Sequence, residues 1–289
     1  MPEYVRAKPW KQLGLVLERL VTTPGGRADT LDEPQDPITR VYLAGRVAVE
    51  SPTGWIRTEA FPGQQARLVL AALILERGHP VGRSEVSAIL WPADVPRGAD
   101  SALNAIISKL RGVLGRLGPE WDRALIGARG TYELRPPVPV WIDVEAAAEA
   151  VHEAEAAIRL GRIPLAYGPS AVAHHISRRP FFPGEGGRWV ETWRERLLEI
   201  RLRALDVRGA VYLANDEPAL ALQSGLEMLS LLPFRETGHR LVMRAHAAMG
   251  NTAEALLAYE ACRRLIAEEL GVDPSPQTKA TYENVLQLV

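Results

Sequence analysis

Thiols and lysines are nearly missing from this chain. One of its 289 residues is cysteine, Cys262, so an intrachain disulfide framework is excluded and a reducing compartment is the simplest setting. Lysine occurs only at Lys8, Lys11, Lys109 and Lys279, against 30 arginines, which we read as a bias of codon usage. No apolar run approaches the roughly 18 residues of a membrane span, and the first residues lack the apolar core of a signal peptide. No phosphate loop of the form GxxxxGKS or GxxxxGKT occurs, and Gly184-Glu185-Gly186-Gly187 reads as a loop between helices. His174 and His175 are adjacent, whereas two metal ligands on one helix need a spacing of four. Cys262 has no identifiable charge-relay partner and reads as a packed thiol. These absences exclude the common catalytic and metal constellations. The expectation is a cytoplasmic protein that is not an enzyme, with no cofactor, no metal and no membrane association.

Hydrophobic residues make up 47% and charged residues 24%, ordinary values for a globular chain, and the length suggests about two domains. The net charge of −1 is unevenly spread. Residues 38–140 hold 13 basic and 9 acidic side chains, and residues 141–289 hold 16 and 20. A basic part beside an acidic one is compatible with nucleic-acid binding. Residues 1–37 read as an extension, with a short amphipathic helix at Trp10–Leu20 and a turn-rich linker at Thr22–Pro37.

Apolar alternation at Val41, Leu43, Val47 and Val49 predicts a half-buried strand. A turn at Ser51–Gly54 and a second strand at Trp55–Thr58 follow. Helices are expected at Gln64–Glu76, at Glu85–Leu90 capped by Ser84, and from Asp100 or Ser101 to about Leu117. A hairpin over residues 124–134 ends this part. Strands, three helices and a terminal hairpin are the layout of a winged helix-turn-helix. From Trp141 on, the pattern predicts helices only, at Val144–Leu160, Ser170–Ser177, Arg188–Leu213, Pro218–Leu232, Arg235–Met249, Thr252–Leu270 and Ser275–Leu288. Ala214–Leu222 aligns with Gly250–Ala258 at an offset of 36 residues, close to the ~34 of tetratricopeptide repeats. The expected fold is therefore mainly α with a small β component: an N-terminal winged helix over 38–140, then an all-α, tetratricopeptide-like repeat domain over 141–289.

The third helix carries the functional signal. Leu103, Ile107, Leu110 and Leu114 share one face; Ser101, Asn104, Ser108 and Arg111 share another, with Lys109 beside them. Periodicity alone leaves two readings open, a solvated amphipathic face and a major-groove reader. In the second, Asn pairs adenine, Ser meets base or phosphate, and Arg or Lys meets guanine or phosphate. Arg129, at the tip of the hairpin, suits a narrow minor groove. Trp189 and Trp193 are spaced for core packing. Arg194, Arg196, Arg201 and Arg203 face Glu191, Glu195 and Glu199 at spacings that predict pairs within one helix.

Phe61–Leu75 (FPGQQARLVLAALIL), Val81–Pro92 (VGRSEVSAILWP), Ala102–Gly115 (ALNAIISKLRGVLG) and Ala128–Leu134 (ARGTYEL) resemble an OmpR/PhoB-type winged helix. Pro180–Leu205 and Ala253–Pro276 (AEALLAYEACRRLIAEELGVDPSP) closely resemble the bacterial transcriptional activator domain. Together the chain resembles an AfsR/SARP-type bacterial regulator over residues 40–289. The resemblance implies a transcription activator that binds direct repeats in double-stranded DNA and recruits RNA polymerase. It implies DNA contacts from Ser101, Asn104, Ser108, Lys109 and Arg111, from Arg129 and Thr131 on the wing, and from Arg67 and Arg83 to phosphates. It places the loop Pro92–Gly98 where related regulators touch polymerase; with no phosphate loop in the sequence, the ATPase module that some relatives carry is not expected within these residues. Departures from the pattern are Asp100, which would repel phosphate unless it caps the helix, and a lean basic face that predicts binding by two copies, as a homodimer on tandem sites. They also keep an alternative in view: a ligand- or protein-binding helical-repeat scaffold whose winged helix binds DNA weakly.

Overall fold

In the computed structural model, residues 38–137 and 139–287 are described. The helix and linker expected over residues 10–37 lie outside the described residues. The described residues are mainly helical, with two small sheets, and form two compact units. Of the described residues, one unit contains those from 38 to Ala146 together with Ile176–Leu198; the other contains Ala147–His175 and those from Glu199 on.

In the first unit, β1 (Thr39–Tyr42) and β2 (Ala48–Ser51) pair antiparallel with Val41 opposite Val49, and β3 (Gly54–Ile56) continues the meander. The alternation over 41–49 predicts one strand, and the chain instead doubles back inside it. Gly45 lies at φ +84°, a left-handed conformation that glycine reaches without a Cβ clash and that breaks a strand. The alternation survives because Val41 and Val49 face one another across the turn. In α1 (Gln64–Leu75), Ala66 and every residue from Leu68 to Ile74 are buried, as expected of a helix apolar on all sides. Then come β4 (Val81–Gly82), α2 (Arg83–Leu90), α3 (Ala99–Leu114) and a six-residue helix, α4 (Pro119–Ala124). Helix α4 is too short to show a stripe in the sequence. Pro119 starts it and buried Trp121 and Ala124 hold it in place.

Strands β5 (Leu125–Ala128) and β6 (Thr131–Leu134) form the terminal hairpin, and β6 also pairs with β4. Strand β7 (Val140–Ile142) runs parallel to β1, with Arg40 opposite Trp141, and completes a sheet of order β3-β2-β1-β7. This corrects the expectation of helices alone from Trp141. Three residues give no period to detect, and the partner strand lies at the other end of the unit's sequence.

Helix α5 (Asp143–Arg159) begins directly after β7. Its first residue, buried Asp143, accepts the backbone N–H groups of Leu43, Ala44 and Val144 at 2.9, 3.0 and 2.8 Å. Burial pushes its carboxyl up to about 6, against the opposing effect of those three bonds. Nearby, Arg77 grips Glu145 with two bonds of 2.6 and 2.7 Å. Residues 176–198 join the same unit: Gly45 N–H donates to the Pro180 carbonyl at 2.8 Å, and Ala44 bridges to Phe181. The Phe181 ring meets Trp189 and Trp193 at 5.9 and 6.0 Å, the packing role their spacing predicts. Arg194 stitches this turn by donating to the carbonyls of Phe181, Phe182 and Glu185.

The rest is helical: α6 (Ile163–Ser177), α7 (Arg188–Ala214), α8 (Pro218–Leu231), α9 (Glu236–Ala248), α10 (Thr252–Leu270) and α11 (Pro276–Leu286). Helix α6 starts well before the expected Ser170 and runs through Pro169. Its first turns are held by Ala166, packed with Ala154, Ala157, Val207 and Val211, which outweighs the hydrogen bond that the proline removes. The arginines of α7 depart from the sequence reading. Arg194 pairs locally with Glu191, but Arg201 reaches Glu227 on α8, Arg203 reaches Glu155 on α5, and Glu199 is held by Arg235. Equal spacing on a helix cannot tell a local partner from one on a neighbouring helix. Helices α8 and α10 begin at Pro218 and Thr252, an offset slightly shorter than the sequence alignment suggests. Where α8 crosses α9, a Cβ on Gly225 would lie 2.8 Å from Val242 Cγ2, so only glycine lets the helices approach this closely.

Candidate nucleic-acid interface

Helices α2 and α3 form the helix-turn-helix, and the β5–β6 hairpin is the wing. Helix α2 begins at Arg83, two residues before the expected start, and Ser84 makes no capping bond. The backbone explains the shift: Arg83 N–H donates to the Gly130 carbonyl in the wing turn at 2.9 Å, which fixes the helix start against the hairpin. Helix α3 is likewise not capped by Asp100 or Ser101. It is entered through Gly98 at φ +85°, and helical geometry begins at Ala99. Asp100 is engaged elsewhere, with the Arg83 guanidinium at 2.9 Å.

Leu103, Ile107, Leu110, Val113 and Leu114 are the buried stripe of α3, so the face opposite is turned outward as the periodicity predicts. Ser101, Asn104, Ser108 and Lys109 are exposed on it. Arg111 is not part of that free face: half-buried, it bends back and donates from Nε and Nη2 to the Leu125 carbonyl at 3.3 and 3.0 Å. Arg67, in the first turns of α1, is also half-buried.

The wing turn is Arg129-Gly130, with φ of +50° and +80°, two left-handed residues between paired Ala128 and Thr131. This is the two-residue turn that matches strand twist and that normally selects Asn, Asp or Gly. Arginine in its first position is uncommon, and Arg129 is exposed at the tip. Thr131 serves the turn itself, donating from its hydroxyl to the Ala128 carbonyl at 2.8 Å.

Between wing and helix lies a cluster that the sequence did not announce. Arg83 Nη2 donates to Asn104 Oδ1 at 2.6 Å and to the Tyr132 hydroxyl at 2.9 Å, and that hydroxyl donates to Asn104 Oδ1 at 3.1 Å. Arg83 also sits over the Tyr132 ring at 5.7 Å. Its hydrogen bond to Asp100, then that to Tyr132, hold its guanidinium even further above its ordinary basicity. Tyr132 stands in one of the matching motifs and Asp100 among the departures from them, but pairing across 49 residues leaves no mark in local periodicity. The loop Pro92–Gly98 is exposed throughout, with Val95 59% exposed.

Burial pushes the Cys262 thiol up to about 11, far from a reactive thiolate, and among the described residues no group of three or more His, Cys, Asp or Glu is placed to hold a metal. Among the described residues, no helix is long and apolar enough to cross a membrane.

Comparison with known proteins agrees with this arrangement. The model of the bacterial transcriptional activator domain matches residues 142–286. The regulatory protein AfsR of Streptomyces coelicolor is 31% identical over 230 residues, 80% of this chain and 23% of AfsR. The transcriptional regulatory protein EmbR of Mycobacterium tuberculosis is 28% identical over 226 residues, 76% of this chain and 57% of EmbR. This chain therefore spans about a quarter of the one relative and rather more than half of the other. A solved structure of EmbR, in complex with a low-affinity phosphopeptide, has the same fold, with a TM-score of 0.74 at 24% identity over 86% of this chain and 65% of that one. Both relatives are named as regulatory proteins. The chain aligns over three quarters of its length with these regulators and, with half of its length matched by the model, belongs to the bacterial transcriptional activator domain family.

Proposed function

We propose that this protein is a cytoplasmic, sequence-specific regulator of transcription that binds double-stranded DNA through residues 38–140. Arg129 is the observation that carries the reading. A long cation held exposed, in a backbone conformation that disfavours it, at the tip of a wing beside an outward polar helix face has a ready explanation in the minor groove. Ser101, Asn104, Ser108 and Lys109 would lie in the major groove. Arg111 and Thr131 support the wing from within, and Arg67 is left as a contact to a flanking phosphate. The exposed loop Pro92–Gly98 would engage RNA polymerase, and residues 141–289 would act as the activator domain, supporting pairing of two copies on direct repeats or sensing a ligand.

The test is binding of the full chain to its own upstream DNA across a salt series, parent beside Arg129→Ala. Affinity that falls steeply with salt, exceeds that for scrambled DNA and drops in the variant supports the reading. Weak binding, indifferent to sequence and to Arg129, overturns it in favour of a helical-repeat scaffold. The pairing of Arg83 with Asp100, which neutralises one cation of the winged helix, is the observation on that side.

A further inference from the structure

Asn104 is exposed on the outer face of α3, yet its amide is not free to turn. Its oxygen receives Arg83 Nη2 at 2.6 Å and the Tyr132 hydroxyl at 3.1 Å. A guanidinium has donors and no acceptor, so a flipped amide would set its own NH₂ against Arg83. Arg83 in turn is fixed at three points: Nη1 to Asp100 Oδ1 at 2.9 Å, backbone N–H to the Gly130 carbonyl at 2.9 Å, and the guanidinium over the Tyr132 ring at 5.7 Å. The orientation of Asn104 is thus set before any ligand arrives.

An asparagine that pairs with adenine uses both halves of its amide: the oxygen accepts from N6 and the nitrogen donates to N7. In this cluster the oxygen already has two donors, and only the NH₂ group remains for a ligand. We propose that Asn104 is a donor-only reader that selects guanine, whose N7 and O6 both accept in the major groove, and that Arg83 is its positioning residue and not a phosphate contact. Adenine offers one acceptor there and opposes the NH₂ with its own N6 donor. The role of Asp100 follows: its carboxylate holds Arg83 off the DNA backbone and against Asn104. The proposal rests on the DNA-binding reading above and narrows it to one base class at one position.

Selection from a pool of randomised duplex DNA, followed by sequencing of the bound fraction, tests it on the full chain. Comparing parent with Asn104→Ala identifies the position that Asn104 reads. Guanine should be preferred there over adenine by about tenfold in the parent, a discrimination of the size one base contact supplies. In Arg83→Ala the amide is released, and preference at that position should move toward adenine while the slope of log affinity against log salt stays as in the parent. Tyr132→Phe, which keeps the ring and removes one donor, should move the preference the same way to a smaller extent and guards against a misfolded Arg83 variant. Adenine at that position in the parent, or a slope that falls by about one unit in Arg83→Ala, overturns the proposal and leaves DNA binding intact. A parent that enriches no sequence overturns the DNA-binding reading and this one with it.

Discussion

Arg111 Nη2 donates to the Leu125 carbonyl at 3.0 Å, so the last turn of α3 holds the residue at which the wing begins. A residue placed by periodicity on the groove-facing side therefore works inside the protein. Its replacement by alanine should lower stability by about 1 kcal/mol through the lost bond. The salt dependence of DNA binding should keep the parent's slope. A slope reduced by about one unit, measured over 50–200 mM salt, would show that Arg111 reaches a phosphate after all.

Arg129 supplies a second expectation, because one substitution should move stability and affinity in opposite directions. Glycine at 129 removes the steric cost of φ +50° and should raise the unfolding free energy by about 1 kcal/mol. DNA affinity should fall in Arg129→Gly as is expected of Arg129→Ala. Thermal unfolding and DNA titration of both variants check this. Lower stability in the glycine variant would mean that the arginine packs on the turn in a way that its exposure does not indicate.

Asp143 gives a pH dependence whose sign follows from its shift. Its carboxyl moves from 3.8 to about 6 on folding, so the folded chain holds the proton more tightly than the unfolded one. The stabilisation is fully present below about pH 4 and is lost as pH rises through 6. The stability difference between parent and Asp143→Asn should therefore shrink between pH 4 and pH 7, by about 3 kcal/mol from the size of the shift. Urea unfolding of both proteins at those two pH values checks it. A difference that grows with pH would mean that the three N–H bonds at Asp143 outweigh its burial.

Gly225 tests the packing of the helical repeats. An alanine methyl there would meet Val242 Cγ2 at 2.8 Å and the Val242 backbone nitrogen at 3.2 Å, and the latter cannot turn aside. Gly225→Ala should lower stability by about 2 kcal/mol, with DNA contacts of the winged helix unaffected at temperatures where the variant is folded. A variant as stable as the parent by calorimetry would show that α8 and α9 can separate freely.

The buried stripe of α3 and the hairpin with Arg129 at its tip were legible in the sequence because each depends on neighbours within a few residues; that the turn has only two residues was not. Helix α4 and strand β7 were not, being too short to repeat their period often enough to reveal it. Asn104 and Arg83 were both singled out, yet as separate DNA contacts; their hydrogen bond joins positions on different helices, which spacing does not encode. The same reason hid the partners of Arg201 and Arg203 on α7. A charge pattern that predicts local pairs is also what a helix needs to fasten neighbours on several sides.

The first unit is assembled from two separate stretches of chain, with Pro180 and Phe181 returning to the turn at Ala44 and Gly45. Modular exchange is thereby restricted. A DNA reader cut out at residue 140 and grafted to another protein would lose β7 along one edge of β1, the carboxylate that holds Leu43 and Ala44, and the aromatic turn at Phe181. Recombination that keeps this unit intact has to carry both stretches at once, the winged helix together with the segment that leads into α7.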